Sequence, residues 1–441
     1  MKRPKPTKAS PRKRKKKVVP SADQPRLKLC YLFTTFPLVS ETFLQREIRV
    51  MKEQHADLTI YSLYGGGSSF EGMPVHRFRL FELFLLVYWL PYWLIVKPGA
   101  IASIFRRWFT RPPRYFTNLE ETFLGEAFAL IRAHQIRKLN PDLIHGVWAT
   151  MPATAALTLE DLIGTPFSMG AHAYDVFKKG GDCLLPEKAL RAKVIHSSTR
   201  FARRQMIRTG APPSRIHWIR RGLSSFPPVN TLRPEIDTIR ILTVGRLVPK
   251  KGYLDQVRIY SALRKRGIPF EARIVGAGPL KEELEESIQQ AELSCCVSLH
   301  GGIPHDQVQD HYAWCDLFIF TGVVDDNGDR NGLANVIPEA LSRGIPVIAT
   351  PDSGILENFK NDVELIIQTA SPADQWVKLL MDLASDFPRR ERLGKAGREW
   401  TEKNFDAHKN SSRLFKLMQA AVAKPTVSGS RSKKQPMGDQ A

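Results

Sequence analysis

The chain has 441 residues, 43% of them hydrophobic, and a formal net charge of +21. This length exceeds one ordinary core and suits two domains, and the apolar fraction excludes a disordered or wholly membrane-embedded protein. The positive charge calls for a negatively charged partner, and composition leaves nucleic acid, anionic lipid and phosphorylated metabolites open.

The five cysteines contain no Cys-x-x-Cys pair, and no histidine lies at zinc spacing from them. We interpret them as reduced thiols of a cytosolic chain and expect no structural metal.

Both ends of the chain are polar. Residues 1–26 hold eleven Lys and Arg, and residues 424–441 are similar in composition, so neither end can bury enough apolar surface to order itself. The apolar run Leu29–Phe33 is interrupted at Thr34 and Pro37, which favours a first strand over a secretory signal.

Between the ends, short β-rich runs alternate with amphipathic helices, the pattern of a parallel α/β fold. For an N-terminal domain at 27–228 we predict strand 29–33, a helix from Ser40, strands 58–63 and 143–145, helix 152–162 and strand 167–170.

One segment, Leu83–Val96, breaks this alternation with fourteen uncharged residues around Pro91. A transmembrane helix needs ~20 residues, so this run is too short to span. Clustered Tyr and Trp with cations on either side suit a segment, 83–110, that lies in an anionic membrane interface. A hairpin of core helices is the alternative. The flanking cations are Arg77, Arg79, Lys97, Arg106, Arg107, Arg111 and Arg114.

A histidine, His172, comes directly after the strand 167–170. Its imidazole is a candidate hydrogen-bond donor to a substrate hydroxyl, and a purely structural role is the alternative.

A Pro-bearing polar stretch, 226–237, predicts the domain boundary. For the C-terminal domain, 229–405, we predict strands 239–244, 272–275, 297–300, 317–320 and 346–349 with helices 254–265, 280–293, 307–314 and 336–342 between them. A last helix at 406–423 follows, with a return to the N-terminal domain as one option.

Two cations follow strand 239–244. Gly245 permits a sharp turn, the guanidinium of Arg246 can donate two hydrogen bonds to phosphate oxygens, and Lys251 adds a second positive charge. Such a pair can hold a diphosphate without a metal ion, and a solvated basic turn is the alternative.

A second constellation runs from Asn331 through Gly332, Leu333, Ala334 and Asn335 into a helix. The free N–H groups at such a helix start suit anionic or hydroxyl groups. One turn later, Glu339 can accept hydrogen bonds from vicinal hydroxyls such as those of ribose, or it can simply complement the helix dipole.

Two motifs do not support a cofactor or metal. The segment Gly276–Gly278 lacks the third glycine of a dinucleotide loop, and the aspartates Asp325, Asp326 and Asp329 lack the remaining ligands of a calcium loop.

Together the motifs FPLVSETFLQREI, HGVWATMPATAAL, GAHAYDVF, GRLVPKKG, IVGAGPLKEEL, HGGIPHDQV and GLANVIPEALSRGIPVIAT resemble a known family. It is the large retaining glycosyltransferase family that includes sucrose synthase and many bacterial capsule and exopolysaccharide enzymes. The resemblance extends from about Leu29 to Lys403 and is greatest to the colanic-acid-type transferases.

This resemblance implies a GT-B fold, with two facing Rossmann-like domains and the active site between them. It implies that Arg246 and Lys251 grip the diphosphate of a nucleotide sugar, that Glu339 takes the ribose hydroxyls and that His172 touches the donor sugar. The turn Ser40, Glu41, Thr42 would face the cleft from the N-terminal domain. The implied reaction retains anomeric configuration, needs no cofactor or metal, and serves a glycan or lipid-linked acceptor at the inner face of the cytoplasmic membrane.

One departure from the family stands at Asn331, where relatives usually carry the first of two glutamates seven positions apart. Asn can still bond a hydroxyl but cannot carry negative charge near a developing oxocarbenium ion. A catalytically silent nucleotide-sugar-binding protein is therefore one alternative, and a sugar-nucleotide epimerase is another. Specific nucleic-acid binding is not expected, because the basic N-terminal tail carries no aromatic residues or recognition motif.

Overall fold

The structure, a computed structural model, describes residues 26–38, 41–177, 182–304 and 306–423. It contains two sheets, one of eight strands within residues 28–218 and one of six strands within residues 239–367. The expected α/β class with two Rossmann-like domains is therefore confirmed. The predicted disordered ends lie outside the described residues except for Arg26, as does Ser40.

The N-terminal sheet has the order β3-β4-β2-β1-β5-β6-β7-β8, and only β3 runs antiparallel to its neighbour. Its strands are β1 (Lys28–Phe33), β2 (Asp57–Ser62), β3 (Ser69–Phe70), β4 (Met73–Arg77), β5 (Leu143–Gly146), β6 (Phe167–Gly170), β7 (Ile195–Ser197) and β8 (Ile216–Trp218). Its helices are α1 (Thr42–Glu53), α2 (Leu86–Val96), α3 (Pro98–Thr110), α4 (Phe116–Leu139), α5 (Met151–Ile163), α6 (Tyr174–Phe177), α7 (Leu185–Arg191) and α8 (Arg200–Arg208).

The C-terminal sheet is fully parallel, with the order β11-β10-β9-β12-β13-β14 that is typical of a Rossmann domain. Its strands are β9 (Ile239–Val244), β10 (Phe270–Val275), β11 (Val297–Leu299), β12 (Leu317–Phe320), β13 (Val347–Ala349) and β14 (Ile366–Ile367). The helices are α9 (Tyr253–Lys265), α10 (Lys281–Gln290), α11 (Val308–Trp314), α12 (Val336–Leu341), α13 (Ser353–Leu356), α14 (Ala373–Ser385), α15 (Phe387–Asn404) and α16 (Ala407–Val422).

Helices cover both faces of each sheet, which explains why the central strands read as continuous apolar runs. Every residue of β5, β6 and β12 is buried. In the centre of the N-terminal sheet, Leu29 on β1 pairs with Leu58 on one side and Leu143 on the other.

The last helix, α16, packs against α1 of the N-terminal domain. Leu414, Phe415 and Met418 of α16 share a core with Leu44 and Ile48 of α1. The chain therefore crosses between the domains twice, once near residue 222 and once after Phe405, and the two crossings bond to each other where the amide of Leu223 donates to the carbonyl of Phe405 at 2.8 Å.

Some boundaries differ from the sequence prediction for local reasons. The helix expected at 280–293 ends at Gln290, because Glu292 adopts a left-handed backbone with φ of 56° and the Leu293 amide turns back to the Ile288 carbonyl. The 24-residue helix α4 was not anticipated, because eleven of its residues are buried and they are not confined to one face, so the sequence shows no clear amphipathic period.

The unusual apolar segment forms a short 3₁₀ turn, Leu80–Leu85, followed by α2 and α3, and the last two elements meet at a bend of 114°. Only Trp93 of α2 is buried, where its indole N–H donates to the Leu130 carbonyl at 2.7 Å. One side of α2 packs against the core of the N-terminal domain, and the rest of the helix is exposed. Among the described helices none alone has the length and apolarity to cross a membrane, although this bent pair does when it is taken together.

We call residues 80–123 the apolar ridge, because its large side chains face outward. The exposed fraction is 81% for Phe84, 82% for Val87 and Ile95, 83% for Phe109 and 76% for Phe116. One flanking cation does not belong to this exposed set: Arg107 is buried and pairs with Asp161 and Glu187. The other six predicted cations are exposed.

Candidate active site

Each sheet has a point where its strand order reverses, between β9 and β12 in one domain and between β1 and β5 in the other. Ligands of open α/β sheets bind outside the carboxyl ends of strands at such points. We call Gly245–Lys251 and Asn331–Glu339 the C-terminal wall of the cleft, and Glu41–Glu47 and His172–Asp175 the N-terminal wall. The walls touch where Arg46 pairs with Glu339 at 3.4 Å.

The C-terminal wall is built by close backbone approaches. Gly252 has φ of 67°, and a Cβ there would lie 2.0 Å from the carbonyl oxygen of Thr321. A Cβ on Gly276 would lie 1.8 Å from the carbonyl oxygen of Gly245. The glycines of the discounted Gly276–Gly278 motif thus have a packing role, which is to let this loop support the turn after β9.

The two cations predicted for this wall have no polar partner among the described residues. Arg246 is exposed, and Lys251 has its ammonium 4.9 Å from the centre of the Phe320 ring. Burial, and then the neighbouring charge of Lys250, lowers the pKa of Lys251 to about 7. Lys250 itself is paired with Asp329 at 2.7 Å, so it is not available to a ligand.

The side chain of Asn331 is already engaged by the protein. It is buried, and its amide nitrogen donates to the Lys250 carbonyl at 2.9 Å. This bond joins the loop before α12 to the loop that carries Lys251. Four residues later, the side-chain oxygen of Asn335 is shielded from solvent without a hydrogen-bond partner, whereas Gly332, Leu333 and Ala334 offer only backbone groups.

The carboxylate of Glu339 lies at the junction of the walls. It accepts a hydrogen bond from the Tyr312 hydroxyl at 3.3 Å and pairs with Arg46, whose other guanidinium nitrogen donates to the Gly222 carbonyl at 3.0 Å. Arg46 is a site residue that the sequence did not single out, since a helical arginine carries no signal of its own.

On the N-terminal wall, His172 is buried between other rings, with its ring centre 5.3 Å from that of Trp148 and 4.9 Å from that of His196. Burial lowers the pKa of His172 well below its usual value, and the neighbouring His196 lowers it further. Neither ring nitrogen has a partner among the described residues. The imidazole is therefore neutral near pH 7 and can donate from one nitrogen and accept at the other.

Asp175 holds His172 in place. Its buried carboxylate accepts the amide N–H of His172 at 3.0 Å, of Ala173 at 2.8 Å and of Ala149 at 3.2 Å. It thereby fixes the loop after β6 to the loop after β5. We did not predict this role from the sequence, although an Asp three residues after the histidine, at the start of a short helix, was the available signal.

The start of α1 completes this wall. Glu41 precedes the helix and Thr42 is its first residue. Burial raises the pKa of Glu41, whereas the positive charges of Arg221 and then Arg246 oppose that shift. Glu41 thus lies within electrostatic reach of both walls.

The described ranges contain no group of three or more His, Cys, Asp or Glu side chains arranged to hold a metal ion. The acidic loop considered for calcium is a turn in which the Asp325 side chain accepts the backbone N–H groups of Asn327 and Asp329.

Residues 232–400, which include the whole C-terminal wall, match the model of the family described as glycosyl transferases group 1. The C-terminal domain is therefore similar to the group 1 glycosyl transferases. The resemblance drawn from the motifs is thereby confirmed.

Relatives match this chain beyond the C-terminal domain, and a solved structure shares its fold. The glycosyltransferase is 24% identical to the amylovoran biosynthesis glycosyltransferase AmsK of Erwinia amylovora over 89% of this chain and 99% of that protein. It is 27% identical to the putative colanic acid biosynthesis glycosyltransferase WcaL of Escherichia coli over 56% of this chain and 59% of that one. Its fold is similar to that of Anabaena HepE, solved in complex with UDP-glucose, with a TM-score of 0.64 and 15% identity over 90% of this chain and all of that one.

Proposed function

We propose that this glycosyltransferase moves a sugar from a nucleotide-sugar donor to a lipid-linked or oligosaccharide acceptor with retention of configuration, in the synthesis of an exopolysaccharide or another cell-surface glycan. One observation carries the proposal: Arg246 and Lys251 stand without polar partners among the described residues, on the same wall as the carboxylate of Glu339. The arrangement suits a nucleoside diphosphate, with cations for the diphosphate and a carboxylate for the ribose hydroxyls.

In the proposed reaction the bond between the anomeric carbon of the donor sugar and the diphosphate oxygen breaks. A bond to the acceptor hydroxyl forms on the same face, and the proton of that hydroxyl passes to the departing diphosphate. The negative charge that develops on the diphosphate is stabilised by Arg246 and Lys251, which is why we propose that no divalent metal takes part. His172 bonds the donor sugar, and Asp175 keeps its ring in place.

The known relatives support this choice of substrates. AmsK and WcaL are described as glycosyltransferases of amylovoran and colanic acid biosynthesis, and HepE is solved with UDP-glucose.

The apolar ridge supports a place at the inner face of the cytoplasmic membrane. Apolar and aromatic side chains bordered by cations are typical of segments that lie in an anionic interface. Lys97 follows α2, and Arg106, Arg111 and Arg114 surround the end of α3, all exposed.

The ridge also extends towards the cleft. Its last exposed side chains, Phe116, Leu119 and Phe123, lie on the first turns of α4, and Glu121 between them accepts a hydrogen bond from the Tyr174 hydroxyl at 2.5 Å. Tyr174 is two residues from His172. A membrane that contacts the ridge would therefore adjoin the N-terminal wall, as a lipid-linked acceptor requires.

Flotation with vesicles containing anionic lipid tests the membrane proposal. Replacing Phe84, Ile95 and Phe109 together by Ser should reduce binding by at least ~10-fold, because each exposed side chain loses its transfer free energy into the interface. The matched control replaces three exposed apolar residues elsewhere, Leu190, Leu356 and Met381, by Ser. Equal binding by the ridge variant and the wild type would refute the ridge as the contact.

Product analysis tests the transfer itself. The protein is first screened for thermal stabilisation by nucleotide sugars, since a ligand at 100 times its Kd adds ~2.7 kcal/mol. The stabilising donor is then incubated with lipid-linked oligosaccharides, and the anomeric configuration of the product is determined by NMR. An inverted product would contradict retention, and a changed donor sugar without acceptor would instead indicate an epimerase.

One alternative keeps a specific observation in its favour. Asn331 stands where relatives usually have a glutamate, and its amide is bonded to the Lys250 carbonyl rather than free. A catalytically silent nucleotide-sugar-binding protein would show saturable binding in calorimetry and neither transfer nor hydrolysis.

A further inference from the structure

A second arginine in the cleft is not used by the proposed function. Arg221 follows β8, in the segment that leaves the N-terminal domain, and its guanidinium carbon lies 3.5 Å from the centre of the Phe43 ring. Its Nε atom is shielded from solvent and has no hydrogen-bond partner. Among the described residues none forms an ion pair with this side chain.

Three carboxylates act on Arg221: Glu41 forms no ion pair with it, and the other two are engaged by other groups. Asp175 accepts three backbone N–H groups, and Glu47 accepts the Tyr31 hydroxyl at 3.1 Å. Burial raises the pKa of Glu47 to about 7, so this group is only a partial anion near neutral pH. Burial lowers the pKa of Arg221 itself to about 10, and the more distant carboxylates only oppose that shift. A guanidinium whose Nε is shielded from solvent and unpaired is costly, which favours a ligand that supplies the missing anion.

The neighbouring groups face the same space. Arg221 lines a cavity of about 30 Å³ together with His172, His196 and Glu47. His172 contributes two ring nitrogens to this region that have no partner among the described residues.

The charge of Arg221 also acts on a group of the opposite wall. The positive charges of Arg246 and Arg221 both act on Lys251 and lower its pKa, and both act on Glu41. Arg221 therefore adds a positive charge from the N-terminal domain to the charges that act on Lys251 and Glu41.

We propose that Arg221 forms an oxyanion-binding subsite, in which Phe43 holds the guanidinium plane and the guanidinium N–H groups donate to a phosphate or carboxylate oxygen of the bound substrate. The subsite rests on the proposed transfer function for the identity of that substrate. The oxyanion belongs either to the donor diphosphate or to an acidic group on the donor sugar or the acceptor, and both sources present the same chemistry to the arginine.

The adjacent arginine provides a matched control. Arg220 is partly buried and lines the same cavity as Arg221, but its Nε donates to the Asn358 side chain at 2.7 Å. Its guanidinium carbon lies 4.0 Å from the centre of the Trp218 ring. Arg220→Gln therefore removes an arginine that already has its partners, one position away in sequence.

The experiment measures the Kd of inorganic pyrophosphate, UDP and GDP by calorimetry for wild type, Arg221→Gln, Arg221→Lys and Arg220→Gln, with circular dichroism as the check on folding. Loss of a charged hydrogen bond should weaken binding ~10–100-fold in Arg221→Gln, with partial recovery in Arg221→Lys and little change in Arg220→Gln. Equal weakening for pyrophosphate and all nucleotide sugars identifies the donor diphosphate as the oxyanion. Weakening confined to a nucleotide uronate, or to the KM of a phosphate-bearing acceptor, identifies the other source.

The subsite is refuted if Arg221→Gln matches the wild type in its Kd for pyrophosphate, UDP, GDP and nucleotide sugars, a nucleotide uronate included, and in the KM of a phosphate-bearing acceptor. It is also refuted if Arg220→Gln loses as much affinity, or if the wild type binds none of these anions. These outcomes separate the two proposals. If the wild type transfers sugar and Arg221→Gln binds the anions equally well, the proposed function is supported and the subsite is refuted. If pyrophosphate binding depends on Arg221 but no transfer occurs, the subsite is supported and the proposed function is refuted.

Discussion

The two walls of the cleft differ in how they hold their reactive groups. The C-terminal wall presents charge, with Arg246 and Lys251 on loops that depend on close backbone contacts at Gly252 and Gly276. The N-terminal wall presents a neutral imidazole that Asp175 fixes through backbone hydrogen bonds. The C-terminal wall therefore suits the negative charge of a leaving group, whereas the N-terminal wall suits hydroxyl groups that must be oriented.

Removing a cation from the C-terminal wall should have the largest effect. We expect Arg246→Ala or Lys251→Ala to lower turnover by ~10²–10³, the usual result of deleting one group that stabilises developing charge. Steady-state kinetics with the identified donor measure it. Arg258→Ala, which removes an exposed arginine on α9, is the control, and wild-type turnover in both cleft variants would rule out the diphosphate clamp.

A smaller loss is expected when the N-terminal wall loses its anchor. Asp175→Asn cannot accept all three backbone N–H groups equally well, so His172 should shift and kcat should fall by roughly 10²-fold. The affinity for free nucleoside diphosphate should stay near that of the wild type, because the clamp lies on the other wall. If Asp175→Asn instead weakens nucleotide binding and leaves kcat unchanged, the roles proposed for the two walls are wrong.

The pKa of Lys251 predicts how the charged wall responds to pH. The free side chain titrates at about pH 7, and a bound anion favours its protonated form, so binding takes up a proton above that pH. Affinity for a nucleotide sugar should therefore be constant below about pH 7 and fall by up to ~10-fold per pH unit above it. Calorimetry from about pH 6 to about pH 9 measures this, and Lys251→Arg, which stays charged, should flatten the profile. A wild-type Kd that does not change over this pH range would contradict the lowered pKa of Lys251.

A chelator is expected to have no effect. Because the two cations replace a divalent ion in the proposed mechanism, EDTA should leave the transfer rate unchanged, and dialysis followed by added Mg²⁺ should not raise it. A loss of rate in EDTA that Mg²⁺ restores would require a metal on the C-terminal wall.

The sequence predicted the C-terminal domain better than the N-terminal one. Strands such as β9 and β12 are short buried runs followed by glycine or polar loops, so their type and place could be read directly. The helix α4 could not be predicted in this way, because its buried residues are not confined to one face and its sequence therefore shows no clear helical periodicity of apolar residues.

The same limit applies to the site. The motifs that contain Arg246, Lys251 and Glu339 suggest their roles directly. Arg46 and Asp175 also lie in motifs, but their contacts, like those of Arg221, are seen only in the folded structure. Whether a cation already has a partner, as Lys250 does and Lys251 does not, is likewise a property of the tertiary structure.

A crystal structure of the protein with a nucleoside diphosphate is the strongest test of the proposed donor site. We expect phosphate oxygens in hydrogen-bond contact with Arg246 and Lys251, and ribose hydroxyls bonded to the carboxylate of Glu339. A nucleotide bound outside this cleft, or bound in it with those three side chains turned away, would contradict the proposed site.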